Sequence, residues 1–131
     1  MKGVININQD GITARKEVGM LIISELQFRD ALYYKLSQFR FLPINHPRLI
    51  RSVSGPGRSG AIASVYASYY LKVPWLPAGS VVPEKLRPHL CVDTAGLTGA
   101  TLRKLARKMQ TGLTLCVFEE PPRVHFWYEI T

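Results

Sequence analysis

The chain has 131 residues, 47% hydrophobic and 20% charged, the balance of a soluble globular domain with a core of its own. Lys and Arg outnumber Asp and Glu by 17 to 9, and the net charge of +8 favours anionic partners such as phosphates, nucleic acid or an acidic protein. Its longest uncharged apolar run, Val18 to Ile23, is too short to span a bilayer, and the opening residues lack the pattern of an export leader, so a cytoplasmic protein is expected.

Val4 to Asn8 reads as a short strand, Gln9-Asp10-Gly11 as a turn and Ile12 onward as a return strand. Ser24 to Gln38 reads as a helix, because Phe28, Leu32, Leu36 and Phe39 recur at helical spacing and form one apolar stripe. Pro43 and Pro47 make 41–47 a connector. Alternation then sets in. Leu49 to Val53 is a strand, Ser54 to Gly60 a glycine-rich loop, and Ala61 to Leu71 a helix with Ile62, Val65, Tyr66 and Tyr69 on one face. Val73 to Leu76 is a strand broken by Pro74, Pro77 to His89 a loop, and Leu90 to Val92 a strand. Gly99 to Gln110 is a helix burying Leu102, Leu105, Ala106 and Met109, with Gly112 beyond its end. Leu113 to Phe118 and Val124 to Ile130 close the chain as strands. Cys91 and Cys116 fall in strands as small core residues of a reducing compartment. Alternating strands and helices argue for one α/β domain, a parallel sheet flanked by helices and joined by right-handed crossovers. His46, His89 and His125 show no metal-ligand spacing and receive no role.

The most telling stretch is Leu90-Cys91-Val92-Asp93-Thr94-Ala95-Gly96-Leu97-Thr98-Gly99-Ala100-Thr101. An apolar strand ends in an acid, a small-residue loop follows, and a Thr-Gly-Ala-Thr turn enters a helix. Backbone N–H groups and the positive end of the helix dipole converge at such a junction, and threonine hydroxyls add donors. An acid beside them can address sugar hydroxyls or a metal ion. The ligand so described is a phosphorylated sugar or a nucleotide.

This segment resembles the binding motif for phosphoribosyl pyrophosphate (PRPP) in type I phosphoribosyltransferases, in which two acids, three variable residues and Thr-Gly-x-Thr follow an apolar strand. Asp93 matches the first acid, and Thr98, Gly99 and Thr101 match the turn. Thr94 stands where the second acid is expected, and Leu97 replaces a frequent hydroxyl residue. More loosely, the likeness covers 44–120, with 1–43 as an N-terminal strand and helix region and 121–131 as a C-terminal strand, all in one domain with a reduced lid and hood. The resemblance implies a transferase in which Asp93 is the catalytic carboxylate, binding a ribose hydroxyl and steadying Mg2+ through it. Residues Thr94, Ala95, Gly96, Leu97, Thr98, Gly99, Ala100 and Thr101 cradle phosphate. Removing a carboxylate near the developing cation matters by roughly a few kcal/mol at an effective dielectric of about 20. The family commonly forms homodimers and includes regulators that bind nucleic acid.

Gly55-Pro56-Gly57-Arg58-Ser59-Gly60 admits several readings. A dinucleotide fingerprint wants an acid about 20 residues further on, whereas the nearest, Glu84, lies beyond a broken strand. A P-loop needs Lys and Ser or Thr where Ala61 and Ile62 stand. The segment resembles the phosphoribosyltransferase pyrophosphate loop, which implies Arg58 neutralising pyrophosphate, Gly57 and Gly60 permitting close approach, and Gly55 and Ser59 in the same loop. A strand-to-helix turn without a ligand is the remaining alternative.

Lys85 and Arg87 could close over pyrophosphate as a brief lid, or simply be solvated. The tail Phe126-Trp127-Tyr128-Glu129 resembles the Trp-containing tail of xanthine and guanine phosphoribosyltransferases, which implies that Trp127 or Phe126 stacks on a purine; packing on the core is the alternative. Glu119 and Glu120 are placed to meet base N–H groups or to be loop charges. Arg103, Lys104, Arg107 and Lys108 form a basic stripe opposite the leucines of their helix, either a solvated face or an RNA-binding one.

Overall fold

The structure, a computed structural model, describes residues 6–7, 13–17, 20–40, 42–43, 46–47, 49–96, 99–118 and 124–129. Its N-terminal part is an antiparallel ribbon of β1 (Asn6–Ile7), β2 (Thr13–Glu17) and β3 (Met20–Ile23), and β7 (Val124–Phe126) adds in parallel to the free edge of β3. The expected turn at 9–11 lies outside the described residues.

Helix α1 (Glu25–Leu36) starts at a complete capping box: Ser24 Oγ accepts from the Gln27 N–H at 3.1 Å, and Gln27 Oε1 accepts from the Ser24 N–H at 2.8 Å. Phe28, Leu32 and Leu36 are buried along it, and Phe39 continues the stripe in the 3-10 turn Ser37–Phe39.

The central sheet is β4 (Ser52–Ser54), β5 (His89–Ala95) and β6 (Leu113–Phe118), all parallel and in that order. Helix α2 (Gly57–Leu71) follows β4, and α3 (Ala100–Lys108) joins β5 to β6. Val53, Leu90 and Val92 pack with Ala63, Ala67 and the α1 stripe on one face. Cys91 packs with Leu102, Leu105, Ala106 and Met109 on the other. Helices cover both faces, as buried parallel strands require. The expected strand Val73 to Leu76 reduces to a parallel bridge between Trp75 and Val53, since Pro74 has no amide hydrogen to donate to a ladder.

That bridge sets the topology. From β4 the chain runs through α2 to Trp75 on one edge of β4, then returns to the opposite edge as β5. The direction of winding reverses between β4 and β5, and ligands of open α/β sheets bind in the crevice beyond the carboxyl ends of strands at such a point.

The end of the sheet where β4 and β5 begin is closed by 77–88, and this corrects the expected lid. Arg87 donates to the Gln110 and Met109 carbonyls at 2.8 and 3.1 Å, at the C-terminal end of α3. Ser52 Oγ donates to the Leu86 carbonyl at 2.7 Å, Arg51 N–H to Pro88, and Val82 is buried. A segment tied to the ends where β4 and β5 begin does not cover the ends where they finish. Among the described residues, no helix is long and apolar enough to cross a membrane.

Candidate functional site

Two strand-to-helix junctions flank the switch point. At the first, the expected glycine loop is short: it ends at Pro56, and Gly57 to Gly60 form the first turn of α2. The glycines serve different ends. A Cβ on Gly55 would lie 2.0 Å from the Gly60 carbonyl oxygen and 2.4 Å from that of Val92. One on Gly60 would lie 2.5 Å from Pro56 Cδ. Both are buried, and a side chain at either would clash within the protein. Gly57 has φ of 64° with open space around it, a conformation that glycine adopts without strain. No side chain caps α2, and no acid occupies its first turn. Arg58 is exposed there, its guanidinium 5.4 Å from the ring centre of Tyr128. The Tyr128 hydroxyl donates to Ser59 Oγ at 2.7 Å.

At the second junction β5 runs on to Ala95, three residues past the expected end, because Asp93 and Ala95 still pair with Cys116 and Phe118 of β6. Alternation along a strand turns Asp93 and Ala95 to one face and Thr94 to the other. Asp93 is half-buried and Thr94 only 3% exposed. Thr94 therefore leaves the expected phosphate cradle and joins the interior. Gly99, with φ of 75°, is the N-cap residue of α3 and, as a glycine, offers no side chain to cap it. Asp93, Ala95, Gly96, Gly99, Ala100 and Thr101 line one hollow of about 150 Å³. That space is on the order of a few water molecules. Leu97 and Thr98 lie outside the described residues, as do Glu119 and Glu120.

Leu102 and Cys116 also line the hollow, and Cys116 was expected in the core. The signal for Cys116 was its register opposite Asp93 across β5 and β6, which no local pattern encodes. Burial raises the Asp93 carboxyl above its ordinary range, opposed by the Thr94 N–H, which donates to Oδ1 at 2.8 Å. No three His, Cys, Asp or Glu side chains among the described residues could together hold a metal ion. A lone carboxylate fits Mg2+ that arrives on ligand phosphates, the usual manner of its binding.

The tail corrects another expectation. Strand β7 stops at Phe126, and Trp127–Glu129 is a 3-10 turn. Phe126 is 2% exposed, edge-on to Phe28, so it is core and not a base platform. Trp127 is half-buried, its ring centre 5.7 Å from Phe28 and 4.9 Å from Tyr128. Arg103, Lys104, Arg107 and Lys108 are all exposed on α3.

No family model matches the sequence, and no curated protein matches it. Among solved structures, the Helicobacter pylori xanthine-guanine-hypoxanthine phosphoribosyltransferase superposes with a TM-score of 0.57, over 83% of this chain and 91% of that one, at 15% identity. The chain has the type I phosphoribosyltransferase fold. Within that fold, sequence reasoning found the Asp93 to Thr101 junction, and the structure gathers its described members, Thr94 excepted, around one hollow.

Histidine 89 is a residue that sequence reasoning passed over. It is fully buried, with Ser52 Oγ 2.6 Å from Nδ1 and Ser54 Oγ 2.7 Å from Nε2. Because Ser52 gives its own proton to Leu86, it must accept from Nδ1–H, which leaves Nε2 to accept from Ser54. Burial, and secondarily Arg87, lowers the imidazole to about 4, so the ring is neutral at physiological pH.

Proposed function

We propose that this phosphoribosyltransferase-fold protein binds PRPP at the β4–β5 switch point and transfers phosphoribosyl to a purine-like base, releasing pyrophosphate. The observation that carries the reading is the half-buried Asp93 carboxylate sharing one hollow with the N-terminal turn of α3. A 5′-phosphate would lie against the first turn of α3, with the Thr101 hydroxyl, and by resemblance that of Thr98, as added donors. Asp93 would accept from a ribose hydroxyl and set negative charge beside the sugar as the bond from C1 to pyrophosphate breaks. A base nitrogen forms the new bond to C1, and the base proton leaves to solvent. At α2, Arg58 and Ser59 face the departing pyrophosphate. A cation in the first turn of a helix opposes the dipole by about 0.3–1 kcal/mol, and an arriving anion reverses the sign. Mg2+ bound to the pyrophosphate would supply further charge neutralisation.

Burial of Thr94, and the attachment of 77–88 to the ends where β4 and β5 begin, favour a second reading: a binder of PRPP or nucleoside monophosphates that regulates an RNA or protein partner without turnover. The exposed α3 cations suit an RNA backbone in that reading. Incubation with Mg2+, radiolabelled PRPP and a panel of bases separates the two, alongside calorimetric titration of PRPP. Labelled nucleotide supports the transferase, and heat without product supports the regulator. No heat from PRPP or any nucleoside monophosphate overturns both. Asp93→Asn should weaken PRPP binding about tenfold, the loss of a charge-assisted hydrogen bond.

A further inference from the structure

Tyr128 lies 69 residues from Ser59 in sequence, yet it touches both side chains of the α2 first turn that face an incoming anion. It arrives there by a rigid route. Strand β7 pairs with β3, Phe126 is buried, and the Tyr128 ring stacks on Phe126 at an interplanar angle of 5°.

The proton inventory gives this contact a direction. Tyr128 donates to Ser59 Oγ, which occupies an acceptor position of the serine. Ser59 makes no other side-chain hydrogen bond among the described residues, so its own proton is left to donate. The ring acts on the neighbouring residue. Arg58 sits at the positive end of a helix whose first turn holds no acid, where its charge is disfavoured, and the aromatic face beneath the guanidinium offsets that. Without the ring, the arginine has no reason to stay over the helix end.

We infer that Tyr128 is a positioning residue for pyrophosphate: its hydroxyl turns Ser59 into an outward donor and its ring parks Arg58 beside it. This rests on the PRPP reading above and adds to it the residue that preorganises one of its two anion sites. A role in packing alone would weaken every ligand equally. A positioning role is selective, because ribose 5-phosphate lacks the pyrophosphoryl group.

Calorimetry on the full chain with Mg2+ tests this using pyrophosphate, PRPP and ribose 5-phosphate. Tyr128→Phe, which keeps the ring, should lower affinity for pyrophosphate and PRPP about fivefold, the usual worth of one neutral hydrogen bond, and leave ribose 5-phosphate unchanged. Tyr128→Leu should lower the first two further, by about tenfold or more, as Arg58 is released. In a Ser59→Ala background, Tyr128→Phe should have no further effect. Equal losses for all three ligands, or none, overturn the inference while the PRPP reading stands. Wild-type protein that binds none of the three overturns both.

Discussion

The two ends of the parallel sheet are built on opposite rules. Where β4 and β5 begin, polar groups are satisfied within the protein: Ser52, His89 and Ser54 form one buried chain, and Arg87 holds the last carbonyls of α3. Where they finish, two helices start at N-cap residues, Pro56 and Gly99, that have no side-chain group to cap them, an arginine occupies the wrong end of one, and a carboxylate sits half-buried beside the other. The chain is able to cap a helix, as the complete box at Ser24 and Gln27 demonstrates. One end is therefore closed by its own hydrogen bonds, and the other is the end to which the proposed ligand is assigned.

The sharpest way to break this comparison is acid. The folded-state pKa of His89 lies near 4, against 6.5 for a free imidazole, so the unfolded chain takes up a proton that the folded one refuses. Stability from this group is complete above about pH 6.5 and is lost as pH falls toward 4, by about 2 kcal/mol at pH 5 and about 3 kcal/mol at pH 4. Urea unfolding across that range should show the slope, and His89→Gln should flatten it. A slope that survives the substitution would show that the closed end does not depend on a neutral imidazole.

Next in size is a change at the open end. Pro56 is the N-cap of α2, with φ of −80° and ψ of 141°, a backbone that a capping residue adopts readily. Pro56→Asp should cap the helix and shift stability by less than about 1 kcal/mol. It should also put a carboxylate where pyrophosphate would bind, lowering PRPP affinity about tenfold or more. Unchanged affinity would mean that this helix end, though uncapped, serves nothing.

The two ends were not equally legible in the sequence. The open end is written locally: an apolar strand, an acid, small residues and a helix start follow one another, so the passage from strand to helix between Asp93 and Gly99 was legible. The bounds of β6 were read correctly from its own apolar run. The closed end depends on partners far apart. His89 joins Ser52 and Ser54 only through the β4–β5 register, and Arg87 reaches Met109 only because α3 ends there. Strand β3 was likewise missed, because Met20–Ile23 has no alternation and its parallel partner comes near the end of the chain. At the α2 start, Gly57 and Gly60, read as loop residues, proved helical, and the close packing of Gly55 on the Gly60 carbonyl is not something propensity registers.

The smallest expected effect concerns Asp93 and has the opposite sign to that of His89. Its folded-state pKa is raised, so the folded chain holds the proton more tightly than the unfolded one. That contribution to stability is complete below the ordinary carboxylate pKa and is lost as pH rises through the raised value. Above that raised value the ionised, half-buried carboxylate therefore opposes folding. Asp93→Asn keeps an oxygen for the Thr94 N–H and removes the charge, so it should raise stability at pH 7 by a few tenths to about 1 kcal/mol. Denaturation of the pair at pH 7, in the His89→Gln background to remove the competing titration, measures the difference directly. A loss of stability would mean that Asp93 belongs to the folding machinery of the closed end, whereas a gain that accompanies weakened PRPP binding marks a residue kept at a cost for its ligand.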